Sequence, residues 1–331
     1  MRRSRAEHGS EFKKMPDKPM FKKLDFNKIK TYPIKERKSK VSINDFVDLK
    51  DWQPGNQLEK IFPNILKAND LKKIADEVVS SAKNSKPVIW GIGAHVIKCG
   101  LSPLIIDLMK RKLISALAMN GAGAIHDFEI AFHGETSEDV AVEIKEGRFG
   151  MVEETGSMMN SALEKHFYEE AGLGEIWGKK IAEGDYNYKE YSLLAAGFEF
   201  SIPVTIHSAI GTDITHMHPS FDGNVMGKGS YNDFKLLTSI IASLEGGGCF
   251  FNIGSSVLLP EVFLKGLSVA RNLGHDAHGF TTVNMDMIQH YRPKENVISR
   301  PTQDGGRGYS ITGHHEIMLP LLYQMILSRV E

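Results

Sequence analysis

Residues 87–140 read PVIWGIGAHVIKCGLSPLIIDLMKRKLISALAMNGAGAIHDFEIAFHGETSEDV, and the fold turns on how this run is parsed. A short apolar segment, Val88 to Ile92, runs into a small-residue turn around Gly91 and Gly93. Leu104, Ile105, Leu108 and Met109 then recur at helical spacing, which predicts a helix over Ser102 to Leu113. A second apolar run, Ile114 to Met119, ends in Asn120-Gly121-Ala122-Gly123-Ala124. Strand, Gly-rich turn, helix, strand, Gly-rich turn is the grammar of a parallel α/β sheet. Such sheets bind ligands at the carboxyl ends of their strands, where both glycine clusters fall.

The 331 residues suffice for one large domain with a core of its own, and 41% hydrophobic with 24% charged residues suits a soluble globular chain. A net charge of −1 hides an asymmetry: residues 1–40 carry fourteen Lys or Arg against five Asp or Glu. The remaining body is therefore acidic and its N-terminal arm basic. Without aromatic stacking motifs the arm does not point to nucleic acid, and docking on the chain's own acidic body is the alternative. Cys99 and Cys249 stand far apart, which suggests a reducing, cytoplasmic setting rather than a disulfide framework. No apolar run approaches membrane-spanning length, so no membrane partner is expected. Gly9-Ser10-Glu11-Phe12 looks like a cloning-site scar. The domain reading is therefore 1–12 scar, 13–60 basic arm and 61–331 a single α/β domain.

Beyond the opening run, Asn69 is read as the cap of a helix reaching Ala82. Helices follow over Ser137 to Lys145, Thr155 to Ala171 and Glu175 to Ala182, and Leu193 to Phe200 leads into a strand, Pro203 to Ser208. Gly211 to Ser230 reads as a long loop before a helix carrying Phe234, Leu237, Ile241 and Leu244. Strands are expected at Cys249 to Ile253 and Phe280 to Met285, with a helix opening at Pro260 between them. A polar loop, 291–313, ending in a short strand near Tyr309 to Thr312, precedes a last helix from about Glu316 with Pro320 in its first turn. At least five strands alternating with helices predict a doubly wound, mostly parallel, Rossmann-like sheet covered on both faces.

Small or polar strand ends recur at Gly91–His95, Gly121–Asp127, Gly211–Asp213 and Gly254–Ser256. Small residues let backbone N–H groups approach a phosphate, and helix N-termini add positive potential. The plainer alternative is that glycines end strands. Val96 also stands where a dinucleotide fingerprint needs its third glycine. Asp127 and Glu261, each near a helix start, suit a base or merely a first-turn acid. His207, His216 and His218 flank Asp213 in a pattern that suits a transition metal, although loop histidines commonly bond carbonyls instead. His314-His315-Glu316 either faces a ligand or caps the last helix.

From Asn69 onward the chain resembles the deoxyhypusine synthase family, NAD-dependent enzymes that move an aminobutyl group from spermidine to a lysine. The family's Thr-Ser-Asn-x-x-Ser-Ser-Gly-Leu is matched by Gly93-Ala94-His95-Val96-Ile97-Lys98-Cys99-Gly100-Leu101. Its Thr-Ala-Gly-Gly-Ile-Glu-Glu is similar to Gly121-Ala122-Gly123-Ala124-Ile125-His126-Asp127, which puts Asp127 where a substrate-contacting glutamate is expected. Its Ile-Pro-Val strand and NAD-contacting aspartate resemble Ile202-Pro203-Val204 and Asp213, and its Gly-Gly-Gly-Val resembles Gly254-Ser255-Ser256-Val257. Its final Gly-Asp-Ala-Thr-x-x-x-Pro-Leu resembles Gly313-His314-His315-Glu316 through Pro320-Leu321. Two departures stand out. The family's His-His-Ile-x-Asn is here Pro260-Glu261-Val262-Phe263-Leu264, and its Ser-Trp-Gly-Lys is replaced by Ile298-Ser299-Arg300-Pro301 without the nucleophilic lysine.

The resemblance implies a divergent branch that binds NAD and acts on an amine or polyamine through an initial dehydrogenation, without the lysine-imine step. It implies a homotetramer. Asp127, His126 and Glu261 are the expected acid/base residues. Gly93, Ala94, His95, Gly121, Ala122, Gly123, Asp213, Gly254, Ser255, His314 and His315 are expected to line the cofactor, with no metal. Two rivals are a binding protein that has lost its chemistry and a metal-dependent hydrolase built on His207, Asp213, His216 and His218. Lys98 or Lys294 remains open as a replacement nucleophile.

Overall fold

The computed structural model describes residues 58–330. The scar and the basic arm expected from the sequence lie, up to residue 57, outside the described residues. Six parallel strands form one sheet, β1 (Val88–Ile92), β2 (Ala116–Asn120), β3 (Val204–His207), β4 (Cys249–Ile253), β5 (Thr281–Asp286) and β6 (Arg307–Thr312), in the order 3-2-1-4-5-6. The register aligns Ile89 with Ala116 on one side and Phe250 on the other. All residues of β1, β4 and β5 are buried, as expected of parallel strands covered on both faces.

The connecting helices are α1 (Leu66–Lys83), α2 (Ala94–Lys98), α3 (Ser102–Lys110), α4 (Gly121–His133), α5 (Val140–Glu143), α6 (Glu153–His166), α7 (Leu173–Glu183) and α8 (Leu193–Glu199). They are followed by α9 (Gly223–Ala242), α10 (Leu258–Asn272), α11 (Tyr291–Pro293) and α12 (His315–Leu327). Alternation along the strands divides the core between two faces. Trp90, Ile92, Phe251 and Met285 pack with residues of α1, α3, α4 and α12, while Ile89, Ala118 and Phe250 pack with α9 and α10. On the second face Phe250 stacks on Phe263 with ring centroids 3.7 Å apart, and Phe280 meets Phe263 edge-on.

Several expected elements differ. Leu193–Glu199 is a helix, held by the Ser192 hydroxyl accepting from the Ala195 N–H. α9 begins at Gly223, well inside the expected loop, because Asp222 caps the Asn224 and Val225 N–H groups and carries a glycine-rich first half that masks the periodicity. The helix expected over Ser137 to Lys145 shrinks to α5 and a 3₁₀ turn, Ile144–Glu146, neither with a buried residue to anchor it. α1 starts before Asn69, and Pro320 lies inside α12 rather than in its first turn. The loop 291–313 contains α11, a π-helical segment, Lys294–Ser299, and the whole of β6. Among the described residues no helix is long and apolar enough to cross a membrane.

β3 is an edge strand, yet its outward groups are not left open. The buried Asp233 carboxylate on α9 accepts the Ile206 N–H at 2.8 Å and the Gly174 N–H at the start of α7 at 3.1 Å. Ser230 donates to the Ile206 carbonyl at 3.1 Å. Side chains thus do what a seventh strand would do, which protects the edge from pairing with another chain. Burial pushes the Asp233 carboxyl up to about 7, against the opposing N–H groups of Ile206, Gly174 and Leu173. An aspartate in the unfolded chain titrates near pH 4, so between about pH 4 and 7 the native state holds a proton that the unfolded state has released. That contribution is fully present below pH 4 and is lost as pH rises to 7. Asp233→Asn removes the titration. Wild-type stability minus variant stability, from urea unfolding at stepped pH, therefore falls across this window by up to about 1.4 kcal/mol per unit. Asp233→Ala, which orphans the backbone donors, lowers stability by about 3 kcal/mol.

Candidate functional site

β1 sits between β2 and β4, and the chain leaves it toward one edge before returning to build the other. Loops following β1 and β4 therefore diverge at their carboxyl ends, the place where open α/β sheets form a ligand crevice. The two turns touch there: the Gly93 N–H donates to the Ile253 carbonyl at 2.8 Å, and a Cβ on Gly93 would collide with the Gly254 carbonyl. Gly254 has φ +69°, the left-handed region, and a Cβ there would meet His315 Nε2 at 2.7 Å. Glycine at both positions is a condition of this close approach.

His315, the first residue of α12, roofs this junction. It is 1% exposed, and its Nδ1 is buried without a hydrogen-bond partner. Burial lowers its pKa, the nearby Asp286 opposes that, and His95, whose ring lies edge-on at 6.0 Å, reinforces it. Neutral imidazole is the favoured form. α2 and α10 start on either side without a cap from their N-cap side chains, but few first-turn N–H groups stay open: that of Val96 donates to the Gly93 carbonyl, and Pro260 has none. Ser255 Oγ accepts from the Leu259 N–H at 3.2 Å. His314, the cap position of α12, is exposed, 3.6 Å from Glu316.

A polar chain that sequence reading missed runs beneath the crevice. Asn252 Nδ2 donates to the Ser255 carbonyl at 2.8 Å and to Asn284 Oδ1 at 2.7 Å. Asn284 donates to Gln289, and Gln289 to the Ile311 carbonyl. Asn252 Oδ1 is a second buried atom without a partner. The available signal was an Asn in each of two otherwise buried strands, in register with one another.

The second glycine turn is built differently. In place of an open cradle at Gly121, Ala122 and Gly123, the Asp213 carboxylate lies against Gly121 and accepts the Ala122 N–H, while Asn120 Oδ1 accepts the Gly123 N–H at 3.0 Å. The start of α4 is spent on the protein's own side chains. Asp213 is buried, which raises its pKa, with His216, Ser208 and Thr212 opposing. His216 Nδ1 accepts N–H groups from Gly211 and Asp213 at 3.0 and 3.3 Å. Its Nε2 therefore carries the hydrogen, directed at Ser208 Oγ 3.1 Å away. His207 pairs with Thr205 and His218 with Ser220. Among the described residues no three His, Cys, Asp or Glu side chains converge as metal ligands. Their separate partners give the metal-hydrolase alternative no converging ligand set among the described residues.

The expected acid/base residues separate. Asp127 is 1% exposed and turned onto the start of α8, where it accepts from Ser192 Oγ, Leu193 N and Leu194 N at 2.6, 2.7 and 3.1 Å. Burial raises its pKa to about 6. It positions a helix rather than facing a ligand. Glu261 is held by Lys265, Arg292 and Asn296, and the Lys265 ammonium leads in keeping its carboxyl below the ordinary value. Only His126 lines a cavity, of about 210 Å3, together with Lys98, Glu129, Glu138 and Asp213. Its Nδ1 lies 2.6 Å from Thr136 Oγ1, which donates to Glu129. Burial, then the Lys98 charge, lowers its pKa to about 4.

No family model matches the chain. It is similar to the "Probable deoxyhypusine synthase" of Sulfolobus acidocaldarius, with 21% identity over 315 residues that cover 86% of this chain and 97% of the relative. The likeness supports a divergent deoxyhypusine synthase-like family. Among solved structures, the ternary complex of AgrE with ornithine and NAD+ is 14% identical with a TM-score of 0.50, covering 79% of this chain. The chain spans about a third of that protein's length, 33%, so what is shared is the fold of one part. The apo structure of ArgZ, an arginine dihydrolase from cyanobacteria, is 15% identical with a TM-score of 0.48, over 80% of this chain and 33% of the other.

The two carboxylates differ in what their loss costs. Asp127→Ala leaves two backbone donors unsatisfied and lowers stability by about 2–4 kcal/mol. Glu261→Ala, which removes partly exposed pairs, changes it by under about 1 kcal/mol. Denaturant midpoints of the two variants measured side by side check this.

Proposed function

We propose that this deoxyhypusine synthase-like chain binds NAD in the crevice between β1 and β4 and acts as a transferase on an amine-type substrate. The reaction begins with dehydrogenation and does not use a lysine imine. The buried His315 ring, whose Nε2 faces Gly254 at the switch point while its Nδ1 has no partner, supports this reading. An orphaned buried nitrogen next to the carboxyl ends of β1 and β4 is the kind of group a bound ligand can satisfy. The residues fit a dinucleotide. The N–H groups of Ala94 and His95 at the start of α2 would meet a pyrophosphate, and neutral His315 does not compete as a cation. Bound there, NAD supplies a hydride acceptor. The chain's own contribution is to orient and to exclude water: His95 and His314 flank the opening, and the Asn252–Asn284–Gln289 chain fixes the floor.

A specific observation favours a second reading, a dinucleotide-binding protein without turnover. Asp127 and Glu261 are both consumed by structural hydrogen bonds. The homotetramer implied by the resemblance belongs to the same proposal and is supported by the exposed Val140, Val142, Ile144 and Met151. Light scattering of the full chain is expected to give a mass above that of a monomer, and a monomer rejects the tetramer.

Titration calorimetry is expected to show saturable NAD or NADH binding, weakened at least about tenfold by His315→Ala. Absence of heat with either nucleotide removes the cofactor assignment. Binding without any hydride transfer across a panel of amines selects the non-catalytic reading.

A further inference from the structure

The Thr136 hydroxyl has a single hydrogen, and it is donated to Glu129. The oxygen can therefore only accept from His126 Nδ1, 2.6 Å away. Glu129 is fixed in turn by the Thr155 hydroxyl at 3.0 Å. The tautomer of His126 follows from this relay: hydrogen on Nδ1, a lone pair on Nε2. The ring lines the cavity beside Lys98, whose ammonium has no carboxylate or hydrogen-bond partner among the described residues.

The carboxylates in the same walls are already engaged. Both oxygens of Glu138 accept from the Gly150 N–H at 3.1 and 3.2 Å, and Asp213 accepts from Ala122, Ser208 and Thr212. A phosphate would bring extra negative charge against these three acids. A polyamine would meet the Lys98 charge and find the acids occupied. A single carboxylate with a neighbouring hydrogen donor, a hydroxyl or an ammonium, satisfies both open groups, and a volume of about 210 Å3 restricts it to a small molecule.

We propose that the cavity between α2 and α4 binds a small 2-amino or 2-hydroxy carboxylate, with Lys98 holding the carboxylate and His126 Nε2 accepting a hydrogen from the amine or hydroxyl. Thr136 and Glu129 are positioning residues that act through His126. The 2-amino member of this class would be the amine-type substrate of the proposed function, and only the fate of the hydride rests on that reading. The binding claim stands without a cofactor.

Imidazole 15N–1H spectra of the full-length protein test it. His126 is expected as the Nδ1–H tautomer, and Thr136→Val is expected to mix the tautomers while the thermal midpoint hardly moves. Titration with the protein amino acids and their 2-hydroxy analogues is expected to find a ligand that shifts the Nε2 signal to saturation. Lys98→Ala weakens that ligand at least about tenfold, Lys98→Arg recovers part of the loss, and the decarboxylated amine does not bind. An Nε2–H tautomer in the wild type overturns the proposal. So does a panel with no ligand, or equal binding of the decarboxylated counterpart. Unchanged tautomers in Thr136→Val remove the positioning role. An NAD titration on the same sample reads the crevice separately, so its failure beside intact carboxylate binding sinks the cofactor assignment alone.

Discussion

Three buried aspartates, each closed on the amino end of a helix, hold together the half of the molecule around β2 and β3. Asp127 meets α8, Asp213 meets α4, and Asp233 meets α7 and the β3 edge together. Burying a carboxylate costs several kcal/mol unless donors replace its water. Here backbone N–H groups at the positive ends of helices replace it. Desolvation raises all three pKa values while these donors oppose it, so each group is held between two strong and opposite effects. Removing one such carboxylate leaves a helix start and its neighbours without a counterpart.

The other half is arranged by contrast. Around the β1–β4 switch point the helix starts carry no acidic plug: neither α2 nor α10 has a cap from its N-cap side chain, only Ser255 closes on the Leu259 N–H, and the roof residue is a neutral histidine with an unpartnered nitrogen. Helix starts are thus closed by buried aspartates on the β2–β3 side, whereas α10 is closed by a serine and a proline and α2 carries no carboxylate. The doubly wound topology makes the crevice possible. The distribution of carboxylates decides which glycine turn can serve it.

This division explains how far the sequence could be read. Val88–Ile92 and Cys249–Ile253 were legible to the residue because fully buried parallel strands are continuous apolar runs bounded by glycine. The sixth strand was read only as a short segment, since β6 is the far edge and carries Arg307, Tyr309 and Ser310 in a polar region. Gly93 and Gly254 were legible as strand ends, and the structure brings them into contact. Gly121 looked identical in sequence, and nothing local revealed that Asp213, some ninety positions on, would close over it. Asp127 misled for a related reason. An acid shortly after a glycine run looks the same whether it faces a ligand or, as here from the second turn of α4, the start of a helix sixty-six residues away. Likewise His126 could be named as polar and well placed, but its tautomer depends on Thr136 and Glu129, whose contact is set by the turn that follows α4.

α2 is where these threads meet. Five residues of helix span only about 7.5 Å, with Gly93, Ala94 and His95 at its start beside the crevice and Lys98 at its end in the wall of the cavity. Val96 and Ile97 are buried between them and fix the helix on the core. A group held by Lys98 and one bound against the start of α2 would therefore be neighbours on a single rigid element, without any movement of the sheet. The departure from the deoxyhypusine synthase pattern has a physical meaning in this light. The segment Ile298-Ser299-Arg300-Pro301 lies across the end of the π-helical stretch with no lysine, whereas the cation next to an oriented imidazole stands on the β2 side of the switch point. The polar chemistry is not lost: Lys98 faces a pocket beside an oriented imidazole.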